Sequence, residues 1–170
     1  MSIGQVDRPN RFQRLMRSSG GTRVGSWIYI RALHRVDQPI FRATHGRHTF
    51  TSLVTGLPIG VLTTTGARSG RPRHSPLLIY PTSAGQMVIA SNYGQARHPA
   101  WYHNLVANPE AQLVLQGTEH SVRARRLEGE TRERIWSESV ETYPGLKAYE
   151  MWAGGRDIPI FLLEPIQPAP

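Results

Sequence analysis

Three arginines fall within the eight residues Gly66-Ala67-Arg68-Ser69-Gly70-Arg71-Pro72-Arg73, and two glycines there free the backbone. Guanidinium groups pair with phosphate and carboxylate alike, so such a loop suits an anionic ligand. It is not a nucleoside triphosphatase loop, because the Gly-x-x-x-x-Gly-Lys-Ser/Thr spacing is absent. Ser69 also lacks a Gly-x-Ser-x-Gly elbow, which leaves it hydrogen bonding within the loop rather than nucleophilic work. With no cysteine in the chain, thiol catalysis, thiolate metal ligands and disulfides are excluded. Seven histidines add little. His98 and His103, placed on one helix of ~3.6 residues per turn, would point about 140° apart. His45 and His48 could share a face but have no nearby carboxylates, so structural or solvent-facing histidines are expected and no metal. A chain this poor in nucleophiles and ligands can still be an enzyme where a cofactor brings the reactivity.

Strands must present the arginine loop. Ile59 to Thr64 is a short β-branched run ending at it. Ser75 to Tyr80 and Met87 to Ala90 follow, separated by the turn composition Pro81-Thr82-Ser83-Ala84-Gly85, and the three runs predict a meander. Then come Ser91-Asn92-Tyr93-Gly94 and a helix opening at Pro99 that carries Trp101, Tyr102 and His103. Both loops are expected to leave strands on one side, where a flat ring with a phosphate tail could be held. Further on, Ala111 to Gln116 and Glu119 to Leu127 predict a hairpin around Gly117-Thr118, with Val122, Ala124 and Leu127 facing inward. A helix over Thr131 to Glu141, preceded by acidic Glu128 and Glu130, ends at Tyr143-Pro144-Gly145. A second, carrying Tyr149, Met151 and Trp152, ends at Gly154-Gly155. Ile158 to Leu163 is continuously apolar, as a strand inside a sheet would be. Strands and helices do not alternate strictly, which favours an α+β fold: a mostly antiparallel barrel with helices packed outside.

A length of 170 residues predicts one domain with one core, over 24–170, behind a basic segment at 1–23. The formal charge is +8, and residues 1–50 hold nine arginines against Asp7 and Asp37. In the leading segment Arg8, Arg11, Arg14 and Arg17 recur at helical spacing among Phe12, Leu15 and Met16. This reads either as a solvated tail or as an amphipathic helix for an anionic membrane surface. From Val24 to Thr44, Trp27, Ile30, Leu33, Val36 and Ile40 form an apolar stripe, a helix that packs on the barrel and bends at Pro39. No DNA- or RNA-reading pattern is present, so no specific nucleic-acid partner is expected. A secretion signal and a run of the ~20 apolar residues that a spanning helix needs are both lacking, which predicts a cytoplasmic protein, peripheral at the membrane if the leading helix docks.

Leu62-Thr63-Thr64-Thr65-Gly66, the loop Gly66-x-Arg68-Ser69-Gly70-x-Pro72-Arg73, Ser75-Pro76-Leu77 and Pro99-x-Trp101-Tyr102-x-Asn104-Leu105-x-Ala107-Asn108-Pro109 closely resemble the deazaflavin-dependent nitroreductase family. The likeness continues to Ile158-Pro159-Ile160 and Glu164-Pro165, so it runs from about Leu57 to Pro165. It implies a split β-barrel oxidoreductase in which reduced coenzyme F-420, an 8-hydroxy-5-deazaflavin, donates hydride from ring carbon five. The acceptor would be a quinone-like, nitroaromatic or related unsaturated small molecule. Val61, Leu62 and Thr63, with Ala90, Ser91 and Asn92, would line the ring or its linker. Arg68, Ser69, Gly70, Arg71 and Arg73 would bind the phosphate and glutamyl tail, and Ala100, Trp101 and Asn104 would close the pocket. Leu78, Tyr143, Leu146, Tyr149 and Trp152 are the acceptor candidates. Ala67-Arg68 replaces a frequent pair of basic residues, Asn92 replaces a frequent lysine, and Leu78 and Leu146 stand where some members have tyrosine. Two alternatives remain open: an FMN-dependent oxidoreductase on the same barrel, and a carrier that binds deazaflavin without turning it over.

Overall fold

A computed structural model describes residues 56–166 continuously, together with Pro39, Ile40, Ala43, Thr44 and Ser52. The basic segment 1–23, most of the helix expected over 24–44, and His45 and His48 lie outside the described residues. Within that helix Pro39, Ile40 and Ala43 are helical, and Thr44 donates both its amide and its hydroxyl to the Ile40 carbonyl.

The described strands are β1 (Ile59–Thr65), β2 (Pro72–Leu78), β3 (Tyr80–Thr82), β4 (Gly85–Ile89), β5 (Glu110–Leu115), β6 (Thr118–Arg126) and β7 (Ile160–Pro165). The helices are α1 (Ala100–Ala107), α2 (Gly129–Thr142) and α3 (Gly145–Trp152). All strands join one sheet in the order β2-β1-β5-β6-β7-β4-β3, and every neighbouring pair is antiparallel.

The expected meander is corrected. β1 pairs with β2 and β3 with β4, but β2 does not pair with β4. The run Ser75 to Tyr80 changes partner at its end. Ile79 still donates to the Pro58 carbonyl at 2.9 Å, continuing the β1 pairing, and the next residue, Tyr80, already faces Met87 of β4. One stretch therefore supplies both edges of the sheet, β2 and β3, and the curled sheet is split between them.

Side-chain alternation sorts residues to the two sides. Leu62, Leu77, Ile79, Val88, Leu113, Val122 and Phe161 point into the barrel, where α1 adds Trp101 and Leu105. Leu78, Tyr80, Met87, Ile89 and Leu162 point outward onto α2 and α3, which bury Ile135, Trp136, Leu146 and Tyr149 against them. The eight-residue α3 is shorter than the ~12–15 residues an isolated helix needs, so this burial holds it. At ~1.5–3 kcal/mol for each large apolar side chain, two such residues outweigh any propensity term.

The β5–β6 turn is Gln116-Gly117, with φ 52° and 81°, rather than Gly117-Thr118, because Thr118 already pairs with Leu115. Two left-handed residues match the twist of a two-residue hairpin. β7 lies between β6 and β4, the interior place that its apolar run predicts.

Candidate active site

β1 and β4 are separated by four antiparallel steps across the sheet, so they run in the same direction and end on the same side. The loop after β1 holds the arginines, and the turn Asn92–Gly94 follows β4. The arginine loop closes on itself. Gly66 N donates to Arg71 O at 2.9 Å, and Ser69 N and Gly70 N both donate to Gly66 O at 3.2 and 2.8 Å. Arg71 N donates to Ser69 Oγ at 3.4 Å and Ala67 N to Asn104 Oδ1 at 3.0 Å. A Cβ on Gly66 would sit 2.6 Å from Ser69 Oγ, so glycine is what lets the turn close. With its amides turned inward, the loop can grip an anion mainly through side chains. Arg68, Arg71 and Arg73 are exposed and, among the described residues, form no ion pair. By contrast Arg123, Arg125 and Arg126 each meet a carboxylate at 2.7–2.8 Å.

Asn104 ties helix to loop. It is buried on α1, accepts from Ala67 N, and donates through Nδ2 to Thr64 Oγ1 at 2.9 Å; Thr64 Oγ1 in turn donates to Arg73 O at 3.5 Å. Its side chain is thus spent on positioning both ends of the arginine loop. Trp101 packs in the barrel, edge-on to Phe161 at 6.2 Å. Leu62 and Ala90 are fully buried, backbone included, and Ala90 spends its amide on Pro159 O and its carbonyl on Arg156, so both are packing positions here. Val61 and Thr63 are half-buried on the outer face, where Thr63 Oγ1 lies 2.9 Å from His74 Nδ1. Ser91 and Asn92 are half-buried, whereas Ala100 is exposed at the start of α1.

Strand register joins these positions to the acceptor candidates. Val61 pairs with Pro76 and Ile59 with Leu78, so Val61, Thr63 and Leu78 share the outer face. Leu78 packs against the cluster of Tyr80, Tyr143, Leu146, Tyr149 and Trp152. Tyr143 and Tyr149 bring their hydroxyls within 3.2 Å, and Tyr93 meets Tyr149 edge-on at 6.0 Å. Burial, reinforced by Tyr149 and Tyr93, pushes the Tyr80 phenol well above its ordinary range and keeps it protonated. Leu146 is completely buried, a packing position in this chain.

Arg156 is the part that sequence reasoning missed. Lying between α3 and β7, it donates to the carbonyls of Ala90, Ser91 and Gln95. The only signal in the chain was an arginine just ahead of an apolar strand. The geometry expected for the histidines is also corrected: His98 precedes α1 instead of riding on it, so its ring reaches His103 edge-on at 6.1 Å and stacks on Tyr102 at 4.2 Å. Burial, then the positive charge of Arg156, holds the His98 imidazole below its usual range. Among the described residues no group of three His, Asp or Glu side chains could hold a metal ion.

Comparison with known proteins agrees with this geometry. The family model described as F420H(2)-dependent quinone reductase matches residues 33–165. A putative F420H(2)-dependent quinone reductase of Mycobacterium tuberculosis is 33% identical over 98 residues, covering 58% of this chain and 82% of its own length. An F420H(2)-dependent quinone reductase of the same organism is 29% identical over 134 residues, covering 77% and 89%. Among solved structures, an F420-H2 dependent reductase, FDR-A, shares 39% identity and a TM-score of 0.56 over 63% of this chain and 94% of that one. The curled antiparallel sheet is the split barrel of these reductases. The chain therefore belongs to the F420H(2)-dependent quinone reductase family and is an oxidoreductase that works with coenzyme F-420.

Proposed function

We propose that this protein reduces a quinone-like acceptor on the outer face that runs from Thr63 and Val61 through Leu78 to the Tyr143–Tyr149 pair. The observation that carries this reading is the register that puts Val61, Thr63 and Leu78 on one face, with exposed arginines that form no ion pair among the described residues at the end of β1. The residues fit the cofactor. Arg68, Arg71 and Arg73 hold its phosphate and glutamyl carboxylates, since exposed guanidiniums that form no ion pair among the described residues are suited to pair with both. Ser69 and Gly70 shape that loop, Val61, Thr63, Ser91 and Asn92 meet the ring or its linker, and Asn104 and Trp101 hold the elements in place. When bound, the deazaflavin supplies a hydride. The chain's part is to orient, to exclude water on the buried side and to admit the acceptor. A flat, electron-poor ring, quinone or nitroaromatic, lies against Leu78 and Trp152, and one hydride with one proton from solvent reduces a quinone to its hydroquinone.

The basic segment 1–23 supports an anionic membrane surface as a further partner, because apolar quinones dissolve in bilayers and its arginines alternate with Phe12, Leu15 and Met16. No helix among the described residues is long and apolar enough to cross a membrane.

The test is anaerobic mixing of the purified protein with reduced F-420 and a water-soluble quinone. Protein-dependent oxidation of the deazaflavin with hydroquinone formed in equal amount is expected. Binding of the reduced cofactor with no oxidation by any quinone or nitroaromatic supplied would instead identify a carrier.

A further inference from the structure

Arg156 belongs to no strand or helix, yet its guanidinium is engaged on every side. Nε donates to Gln95 O at 2.9 Å and Nη2 to Ser91 O at 2.8 Å. Nη1 donates to Asp157 O at 2.9 Å and Ala90 O at 3.2 Å, and lies 3.1 Å from His98 Nδ1. Three of these acceptors are carbonyls of the stretch leaving β4. That stretch is strained: Asn92 and Tyr93 have φ of 46° and 53°, left-handed values that asparagine tolerates but a tyrosine adopts only under constraint. Such backbone persists only where its surroundings over-determine it. Here Asn92 Nδ2 donates to Arg97 O at 2.8 Å, Gly94 packs so closely that a Cβ would lie 2.9 Å from Tyr149 O, and Arg156 gathers the carbonyls. A lysine could not do this, since its hydrogens radiate from one atom while the acceptors are spread around a planar fork.

His98 enters through the same fork. Nη1 has two hydrogens and three acceptors around it, and an arginine has no lone pair to offer, so Nδ1 must present its own and the ring proton sits on Nε2. Protonating Nδ1 would set N–H against N–H and one positive charge beside another. The groups facing His98 are Arg156 and Asp157 ahead of β7, Tyr102 and His103 on α1, and Arg126 at the end of β6; of the charged groups among these only Asp157 favours the imidazolium.

We propose that Arg156 is the positioning residue of the loop after β4, fixing Ala90, Ser91 and Gln95 through one guanidinium fork, and that this hold requires neutral His98, so that acid loosens the loop and weakens cofactor capture. The cofactor half of the statement rests on the reading that Ser91 and Asn92 meet the deazaflavin. Because the folded imidazole titrates below the free one, the stabilisation is complete above the free pKa of ~6.5 and is lost as pH falls through it toward the lowered value.

Two readouts test this on the intact chain at about pH 7.5 and about pH 5.5, either side of the free imidazole pKa. One is the hydrogen-exchange protection factor of the 91–95 amides without ligand; the other is the dissociation constant for F-420. The parent is expected to lose protection and affinity in acid. His98→Asn, whose Oδ1 replaces the Nδ1 acceptor but does not titrate, is expected to lose much less; comparison with it cancels any titration belonging to the ligand. Arg156→Lys is expected to lose protection at both pH values and to bind roughly ten- to a hundredfold more weakly, the worth of one charge-assisted hydrogen bond. A lysine variant with the parent's protection and affinity, or an asparagine variant with the parent's acid loss, overturns the proposal. If the lysine variant does not fold, the asparagine comparison decides. Protection that behaves as expected in a protein that ignores deazaflavin would leave the hold standing and sink the cofactor reading.

Discussion

Arg73 and Asn104 sit at the two ends of one small network and should fail differently. Arg73 is exposed and, among the described residues, forms no ion pair, so Arg73→Ala is expected to cost the fold little while removing a partner for the anionic tail. Cofactor affinity should drop roughly ten- to a hundredfold with the melting temperature within a degree or two of the parent. Titration of F-420 alongside a thermal melt checks this, and equal dissociation constants would remove Arg73 from the site. Asn104→Leu keeps the volume but strips Ala67 N of its acceptor and Thr64 of its donor. A loss of about 1–3 kcal/mol in denaturant unfolding is expected, accompanied by weaker binding because the loop loses its tie to α1.

Glycines in the two loops separate backbone strain from crowding, and the difference belongs to the elements around them. Gly70 and Gly94 both have left-handed φ, 63° and 73°. Nothing lies within 4 Å of a Cβ on Gly70, whereas one on Gly94 would meet Trp152 Cβ and Tyr149 O at 2.9 Å. Gly70→Ala should therefore cost only the backbone term, roughly 1–2 kcal/mol. Gly94→Ala should cost more, because α3 is anchored to the outer core through Leu146 and Tyr149 and cannot retreat. Paired urea titrations check the ranking; equal costs would mean that the turn after β4 is not clamped against α3.

For the molecule as a whole, two ionic-strength effects should appear. A longer glutamyl tail should bind more tightly at low salt, with the advantage fading as the Debye length falls from ~30 Å at 0.01 M to ~8 Å at 0.15 M. Affinity independent of both tail length and salt would mean that the arginine loop does not hold the tail. The basic segment is expected to carry the protein onto anionic vesicles but not neutral ones, releasably by salt. Removing residues 1–20 should abolish that sedimentation and leave reduction of a soluble quinone intact; a deletion that destroys cofactor binding would place the segment in the fold instead.

Much of this was determined by local chemistry in the sequence alone. Partial alternation in Glu119 to Arg126 reports a strand and its buried side at Val122 and Ala124, because period-two burial needs no knowledge of the partner. The inward place expected for Leu127 is corrected, since it follows the strand's end and joins the outer core with α2. Three arginines in a glycine turn suggest an anion site in the same way, because charge and backbone freedom are properties of the residues themselves, and the structure keeps all three exposed. Partners were decided by the tertiary structure. Ser75 to Tyr80 reads as one strand, and only closure of the barrel makes Ile79 the point where it passes from β1 to β4. Asn104 reads as a pocket residue, yet its two hydrogen bonds reach Thr64 and Ala67, and Arg156 reaches back to Ala90 and Ser91. Such contacts join residues far apart in the chain, and the spacing of side chains carries no record of what a buried amide or guanidinium will find across the fold.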